Sequence, residues 1–160
     1  MNKLYIICID DQPEVLNALE QDLALFDDKM NVEVCDTGTE ALDLIEEIDG
    51  NGDFVALIIS DQVMPEMTGV DLLATITSDG RFDDTQKILL TGLATHEDTI
   101  EAINSGRINQ YIGKPWKREQ IEEAVKKSLT KFIVSKGLEY QDLLEYLDQE
   151  TLYKVLRTRT

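Results

Sequence analysis

The residues from 55 to 69 read VALIISDQVMPEMTG, and this stretch gives the strongest indication of the fold. An unbroken apolar run reaches Ser60, Asp61 follows it directly, and a loop containing Pro65 ends at Gly69. Short apolar runs without alternation are typical of strands that a parallel sheet buries on both faces. In open parallel sheets, functional groups lie at the carboxyl ends of the strands, so Asp61 is predicted at the functional edge.

Other short apolar runs in the chain also end in polar residues. They are 4–9 before Asp10 and Asp11, 88–90 before Thr91, and 111–113 before Lys114. Because the carboxyl ends of parallel strands share one edge of a sheet, these side chains are predicted to meet Asp61 in a single pocket.

Segments with helical periodicity alternate with the apolar runs. They cover roughly 13–26, 41–48, 70–76, 95–105 and the residues after Trp116, and an alternating strand is expected at 31–36. Parallel neighbours need right-handed crossovers, so this rhythm predicts an α/β fold with a doubly wound, five-stranded parallel sheet. The flavodoxin-like order 2-1-3-4-5 places the first and third strands side by side, so that Asp10 and Asp11 face Asp61.

Three aspartates in one crevice repel one another unless they hold a proton or a cation. Mg²⁺ suits such a site because it takes one or two carboxylates and leaves positions for phosphate oxygens. The Thr91 hydroxyl and the Lys114 ammonium are donors for the same anion. The set predicts phosphoryl transfer to a carboxylate, with Asp61 as the nucleophile.

Together these residues resemble the receiver domain of two-component response regulators. The resemblance covers about residues 3–130 and rests on five signals in the family's order. They are the acid pair, Asp61 with its loop to Gly69, Thr91-Gly92, Tyr111, and Lys114-Pro115. An acid pair alone is a weak signal, whereas the five together are specific.

The resemblance implies a metal site and a phosphoacceptor. Asp61 matches the phosphoacceptor. Asp11 matches the direct Mg²⁺ ligand, Asp10 acts beside it through water, and the backbone carbonyl of Val63 completes the protein's share. The expected metal site therefore comprises Asp10, Asp11, Asp61 and the Val63 carbonyl.

The resemblance also implies a switch. Thr91 matches the hydroxyl that moves toward the phosphoryl group, and Lys114 matches the ammonium that pairs with that group. Tyr111 matches the aromatic side chain that turns inward on activation. Pro115 matches a position with a cis peptide bond, and Gly69 is expected to serve backbone geometry.

The charge is distributed unevenly along the chain. Formal net charge is −17, but residues 1–116 carry −18 and residues 117–160 carry +1. Nucleic-acid binding usually needs a basic patch, so direct binding of nucleic acid is not expected. The longest apolar run is far shorter than the roughly 18 residues of a membrane span, and the N-terminus lacks a basic start. The chain is therefore expected to be cytoplasmic and without a membrane partner.

The organisation predicted for the chain is a receiver domain over 1–130 and a helical extension over 131–160. The extension carries Leu143, Leu144, Leu147, Leu152, Val155 and Leu156. Three explanations are open: a dimerising segment, a linker to an absent output domain, or helices folded back on the receiver. A homodimer is favoured, through the helix expected at 95–105, the strand at 111–113, the helix after Trp116 and the extension.

The predicted function is a response regulator receiver that accepts a phosphoryl group on Asp61 from a sensor histidine kinase or a phosphotransfer protein. Mg²⁺ is the expected cofactor, and phosphorylation is expected to switch the partner or the oligomeric state. Such a chain is a switch rather than an enzyme, and any output enzyme would lie outside it.

Two alternatives stay open at this point. One is a receiver-like interaction module that is never phosphorylated, although the complete set of Asp61, Thr91 and Lys114 disfavours it. The other is a phosphohydrolase of the haloacid dehalogenase type, which would need a second aspartate where Val63 stands. A dinucleotide-binding enzyme is disfavoured because no GxGxxG follows the first strand.

Overall fold

The computed structural model describes residues 2–92 and 108–158. Within them, five strands form a parallel sheet in the order β2-β1-β3-β4-β5. The strands are β1 (Leu4–Ile9), β2 (Asn31–Cys35), β3 (Phe54–Asp61), β4 (Gln86–Thr91) and β5 (Gln110–Gly113). This sheet confirms the predicted doubly wound fold and its strand order.

Helices follow β1, β2, β3 and β5, and the chain remains helical in part beyond the sheet. The α-helices are α1 (Pro13–Asp22), α2 (Gly38–Gly50), α3 (Gly69–Thr77), α4 (Arg118–Lys136) and α5 (Gln149–Thr158), and short 3-10 helices span Ala24–Asp28, Gly80–Phe82 and Gln141–Tyr146. The helix expected at 95–105 lies outside the described residues.

The helices begin where the local sequence supplies suitable residues. Pro13 opens α1, where its missing N–H leaves no intrahelical bond unmade. The Thr37 hydroxyl caps α2 by accepting from the Glu40 amide, and the Thr68 hydroxyl caps α3 by accepting from the Asp71 amide. These caps fix the points at which the chain leaves the functional edge.

Two apolar layers cover the two faces of the sheet. One layer joins Ile6 and Cys8 of β1 to α1 and α4, and the other joins Ile7 and Ile9 to α2 and α3. Successive side chains of a strand point to opposite faces, so a strand covered on both sides must be apolar at every position. This is the physical reason for the unbroken apolar runs.

The strand register sets the height of the functional residues. Ile9 pairs with Ser60 across β1 and β3, so Asp10 and Asp61 follow at the same level. Thr91 pairs with Gly113, which places the Thr91 side chain one residue before Lys114 on the neighbouring strand. The four polar strand ends therefore lie along one edge.

The segment after α4 folds back on the sheet domain. Gly137 ends α4 with a φ of 72°, a left-handed conformation that glycine adopts without steric cost. Tyr146 and Leu147 are then buried in the same layer as α1 and α4, with the Tyr146 ring 6.2 Å from that of Phe26. Of the three explanations for the extension, packing against the receiver describes residues 138–147.

The last helix is attached less tightly. The Asp148 amide donates to the Thr130 hydroxyl of α4 at 2.9 Å, and the Asp148 carboxylate accepts from the Thr151 amide at 3.0 Å. No residue of α5 is fully buried, and Tyr153 is 65% exposed. The predicted boundary between residues 130 and 131 falls inside the continuous helix α4.

Within residues 2–92 and 108–158, no helix combines the length and the apolar character that a bilayer crossing requires.

We expect Leu147→Ala to lower the free energy of unfolding by about 2–4 kcal/mol, because it leaves a cavity in the shared apolar layer. The matched variant Leu156→Ala, at a side chain that is 38% exposed, should change it by about 0.5 kcal/mol or less. Urea unfolding followed by circular dichroism measures both. Equal small effects would show that the extension does not belong to the folded core.

Candidate functional site

Three carboxylates converge at the carboxyl edge of β1 and β3. Oxygen atoms of Asp10, Asp11 and Asp61 lie within 4.8 Å of one another. Asp10 is completely buried and Asp61 is 6% exposed, whereas Asp11 is exposed to solvent. The strand order predicted that the three aspartates face one another, and in the structure two of them are buried while the third faces water.

A single ammonium bridges the two buried carboxylates. Lys114 Nζ lies 2.9 Å from Asp10 Oδ2 and 2.8 Å from Asp61 Oδ1. The Lys114 amide donates to the Thr91 carbonyl at 3.1 Å, so this residue is tied to β4 at the point where β5 ends. The Lys114–Pro115 peptide bond is cis, the geometry that the family resemblance implied.

Burial and hydrogen bonding shift the pKa values of Asp10 and Lys114 in opposite directions. Burial raises the pKa of the Asp10 carboxyl, and the hydrogen bonds from the Gln12 amide and Lys114 offset this only in part. Burial opposes the positive charge of Lys114, but the hydrogen bonds to Asp61 and Asp10 outweigh it, so the pKa of Lys114 is raised. The ammonium thus stays charged, as ion pairing requires.

Acidic groups outnumber basic ones in this cluster. Within residues 2–92 and 108–158, three carboxyl groups face the one ammonium of Lys114, so full ionisation gives the cluster an excess of two negative charges. Hard oxygen ligands of this kind fit Mg²⁺, which accepts carboxylates and retains waters. The donor set present here therefore fits the cofactor that the sequence predicted.

The loop from Asp61 to α3 closes over the end of β3. A Cβ atom at Gly69 would lie 2.2 Å from the Asp61 carbonyl oxygen, so only glycine fits at this approach. The Met67 side chain covers Gly38 of α2, where an added Cβ would lie 2.7 Å from Sδ. Val63, in the same loop, is 76% exposed.

The two residues expected to form the switch lie on β4 and β5. Thr91 ends β4 and Tyr111 lies in β5, and both side chains are half-buried. Tyr111 packs against the apolar layer of α2 and α3, and burial raises the pKa of its phenol. The structure thus brings Thr91 and Lys114 to the same edge as the carboxylates, whereas Tyr111 lies two residues before the end of β5.

Other residues singled out in the sequence have structural surroundings. Trp116 Nε1 donates to Asp22 Oδ2 at 2.7 Å, so it fastens the start of α4 to the end of α1. Cys8 and Cys35 are buried, and burial raises the pKa of the Cys35 thiol to about 12, so this thiol stays protonated at neutral pH. Neither cysteine offers a nucleophile.

Gln62 has a structural role that its sequence context does not predict. Its side-chain oxygen accepts a hydrogen bond from the Val70 amide at 2.9 Å, across the whole loop. A glutamine after a strand carries no recognisable pattern, because the bond depends on how the loop folds. The hydrogen bond between Gln62 and Val70 is therefore evident only from the structure.

The chain is similar to proteins of a known family. The family described as the response regulator receiver domain matches residues 6–126. The chemotaxis protein CheY of Pseudomonas aeruginosa is 31% identical over 125 residues, which cover 76% of this chain and 93% of that protein.

One further relative is much longer than this chain, and one solved structure is of similar length. The hydrogenase transcriptional regulatory protein HoxA of Bradyrhizobium diazoefficiens is 30% identical over 134 residues, covering 84% of this chain but 26% of HoxA. The chain thus spans about a quarter of that relative. The crystal structure of the signal receiver domain of an HD domain-containing protein from Pseudomonas fluorescens Pf-5 superposes with a TM-score of 0.74 at 28% identity, covering 86% of this chain and 94% of that one.

We expect Asp10→Asn to raise the melting temperature in EDTA at pH 7–8 by roughly 2–4 °C, the shift that about 1 kcal/mol produces at this size. The raised pKa of Asp10 means that its protonated form stabilises the native state at low pH and that this stabilisation is lost as pH rises through the native pKa. The advantage of the amide should therefore shrink as pH falls toward about 4.

Thermal melting across this pH range, with the exposed Asp43→Asn as a control, measures the effect. A gain for Asp10→Asn that is independent of pH would contradict a charged, desolvated carboxylate at this position.

Proposed function

The chain belongs to the response regulator receiver domain family, and on that premise we propose that Asp61 accepts a phosphoryl group in two-component signalling. The observation that carries this proposal is the Lys114 ammonium held between Asp10 and Asp61 beside the exposed Asp11. A nucleophilic carboxylate, a cation for the transferred group and a set of metal ligands thus occupy one pocket.

The proposed reaction moves a phosphoryl group from a phosphohistidine to Asp61. A carboxylate oxygen of Asp61 attacks phosphorus, the P–N bond breaks, and its electron pair stays on the imidazole nitrogen. The product is an acyl phosphate. Lys114 already lies 2.8 Å from Asp61 Oδ1, so its ammonium is positioned to donate to a phosphoryl oxygen.

The metal ligands in this proposal are Asp11, Asp61 and the Val63 carbonyl, with Asp10 acting through water. Mg²⁺ bound there supplies positive charge against the phosphoryl oxygens. The exposure of Asp11 and Val63 supports the proposal, because the phosphodonor and the hydrated ion must both enter from solvent.

The proposed partner is a sensor histidine kinase or a phosphotransfer protein, and the proposed readout uses Thr91 and Tyr111. The Thr91 hydroxyl moves toward the phosphoryl group, and the Tyr111 side chain turns inward behind it. The positions of Thr91 at the end of β4 and of Tyr111 in the neighbouring β5 support this role, since both strands border the functional edge. The two states then differ in the surface around β4 and β5.

The competing functions have weaker support. An interaction module that is never phosphorylated would not need Lys114 to bridge two buried carboxylates. A phosphohydrolase of the haloacid dehalogenase type would need an acid at Val63, which is apolar and exposed. Receiver domains of this family act as signalling switches. In longer relatives such as HoxA, the part that matches this chain is a fraction of the whole protein.

We further propose that the chain forms a homodimer through residues 95–105, β5, α4 and the extension of residues 131–160. Tyr153 and Leu156 support this because they leave apolar surface exposed on α5.

Light scattering at high micromolar concentration, with and without beryllofluoride, tests the dimer. We expect Tyr153→Lys to weaken self-association by about tenfold, which corresponds to roughly 1.4 kcal/mol. Leu25→Lys, at an exposed apolar residue outside the extension, is the control. Monomers under both conditions would refute the homodimer.

We expect Asp61→Asn to abolish phosphorylation while retaining the fold, because the amide is nearly isosteric but is not a nucleophile. Intact-mass spectrometry after incubation with acetyl phosphate and Mg²⁺ measures the increment of one phosphoryl group. Asp43→Asn, an exposed residue on α2, should label as the wild type does. Full labelling of Asp61→Asn would overturn the assignment of the phosphoacceptor.

A further inference from the structure

In the proposed function, the loop that follows Asp61 positions one of the metal ligands. It must hold the Val63 carbonyl toward the metal, two residues beyond the phosphoacceptor. The Val63 side chain is 76% exposed, so its own packing does little to fix that carbonyl. Other residues must fix the backbone on either side of it.

Gln62 ties this backbone in three places. Its amide donates to the Leu90 carbonyl of β4 at 3.2 Å, which continues the sheet one residue beyond Asp61. Its carbonyl accepts from the Gly69 amide at 3.0 Å, and its side-chain Oε1 accepts from the Val70 amide at 2.9 Å. One residue thus joins the end of β3, its neighbour β4 and the start of α3.

The hydrogen bond from the Val70 amide to the Gln62 side chain depends on both the chemistry and the length of that side chain. The first amides of a helix have no partner within that helix, and an acceptor placed there stabilises both the helix start and the acceptor's own position. A glutamine side chain reaches the Val70 amide across the loop because it is one methylene longer than asparagine. The two bonds to Gly69 and Val70 close the loop of residues 63–68 at its base.

We infer that Gln62 is a positioning residue for metal binding: its side chain holds the loop so that the Val63 carbonyl points into the carboxylate cluster. The inference rests on the proposed function, since it assigns the backbone carbonyl as a ligand. Gln62 acts through the loop and need not contact the metal or the phosphoryl group.

The experiment compares Mg²⁺ affinities by isothermal titration calorimetry on the full chain. Gln62→Met retains the length of the side chain without the acceptor. Gln62→Asn retains the amide but shortens the reach, and it serves if the methionine variant does not fold. Gln62→Glu retains an acceptor that also suits a helix N-terminus. Gln149→Met is the same change at an exposed position on α5, and Asp11→Ala marks the loss of a ligand.

We expect Gln62→Met and Gln62→Asn to weaken Mg²⁺ binding by about tenfold, the usual effect of removing a group that orients a metal ligand. Gln62→Glu should bind at least as tightly as the wild type, and Gln149→Met should match it. Melting in EDTA provides the second readout, because a merely structural residue would lower stability without changing the Mg²⁺ affinity of the folded chain.

Wild-type Mg²⁺ affinity in both Gln62→Met and Gln62→Asn would overturn the inference while leaving the proposed function intact. Undiminished binding by Asp11→Ala would instead refute the proposed metal site, so the two failures are distinguishable.

Discussion

The ion pair between Lys114 and the buried aspartates is the interaction on which the functional edge depends. Its three groups come from β1, β3 and the end of β5, and Lys114 is 104 residues from Asp10 in the sequence. Two carboxylates that are nearly removed from solvent would repel each other strongly without the ammonium between them. The ammonium reduces that repulsion but leaves an excess of negative charge, and this residual charge suits the site to a divalent cation.

Much of this site was predictable because it follows from strand ends. Once the apolar runs at 4–9 and 55–60 are recognised as buried parallel strands, the sheet order forces Asp10 and Asp61 together. Thr91 and Lys114 follow from the same argument on β4 and β5. The strands are buried on both faces, so their sequence signal is strong, and the fold could be predicted from it.

The remainder depends on contacts between distant segments. Leu144 and Leu147 are the same residue type in the same segment, and the sequence does not distinguish them. Leu144 is nevertheless 39% exposed, whereas Leu147 is 4% exposed. The direction in which the chain leaves Gly137 decides which leucine reaches the layer around Phe26. The loop bond of Gln62 is likewise set by the path of residues 63–68, for which periodicity gives no information.

Helix α4 connects the sheet domain to the C-terminal extension. Just before its first turn, Trp116 is bonded to Asp22 at the end of α1. Near its far end, Phe132 packs against Phe54 at the start of β3, with ring centroids 6.1 Å apart. A helix of 19 residues is about 28 Å long, so a tilt of about 5° at the first turn displaces the last by about 2.4 Å. The Asp148 amide is bonded to Thr130 of α4, so a displacement of α4 would also displace the start of α5.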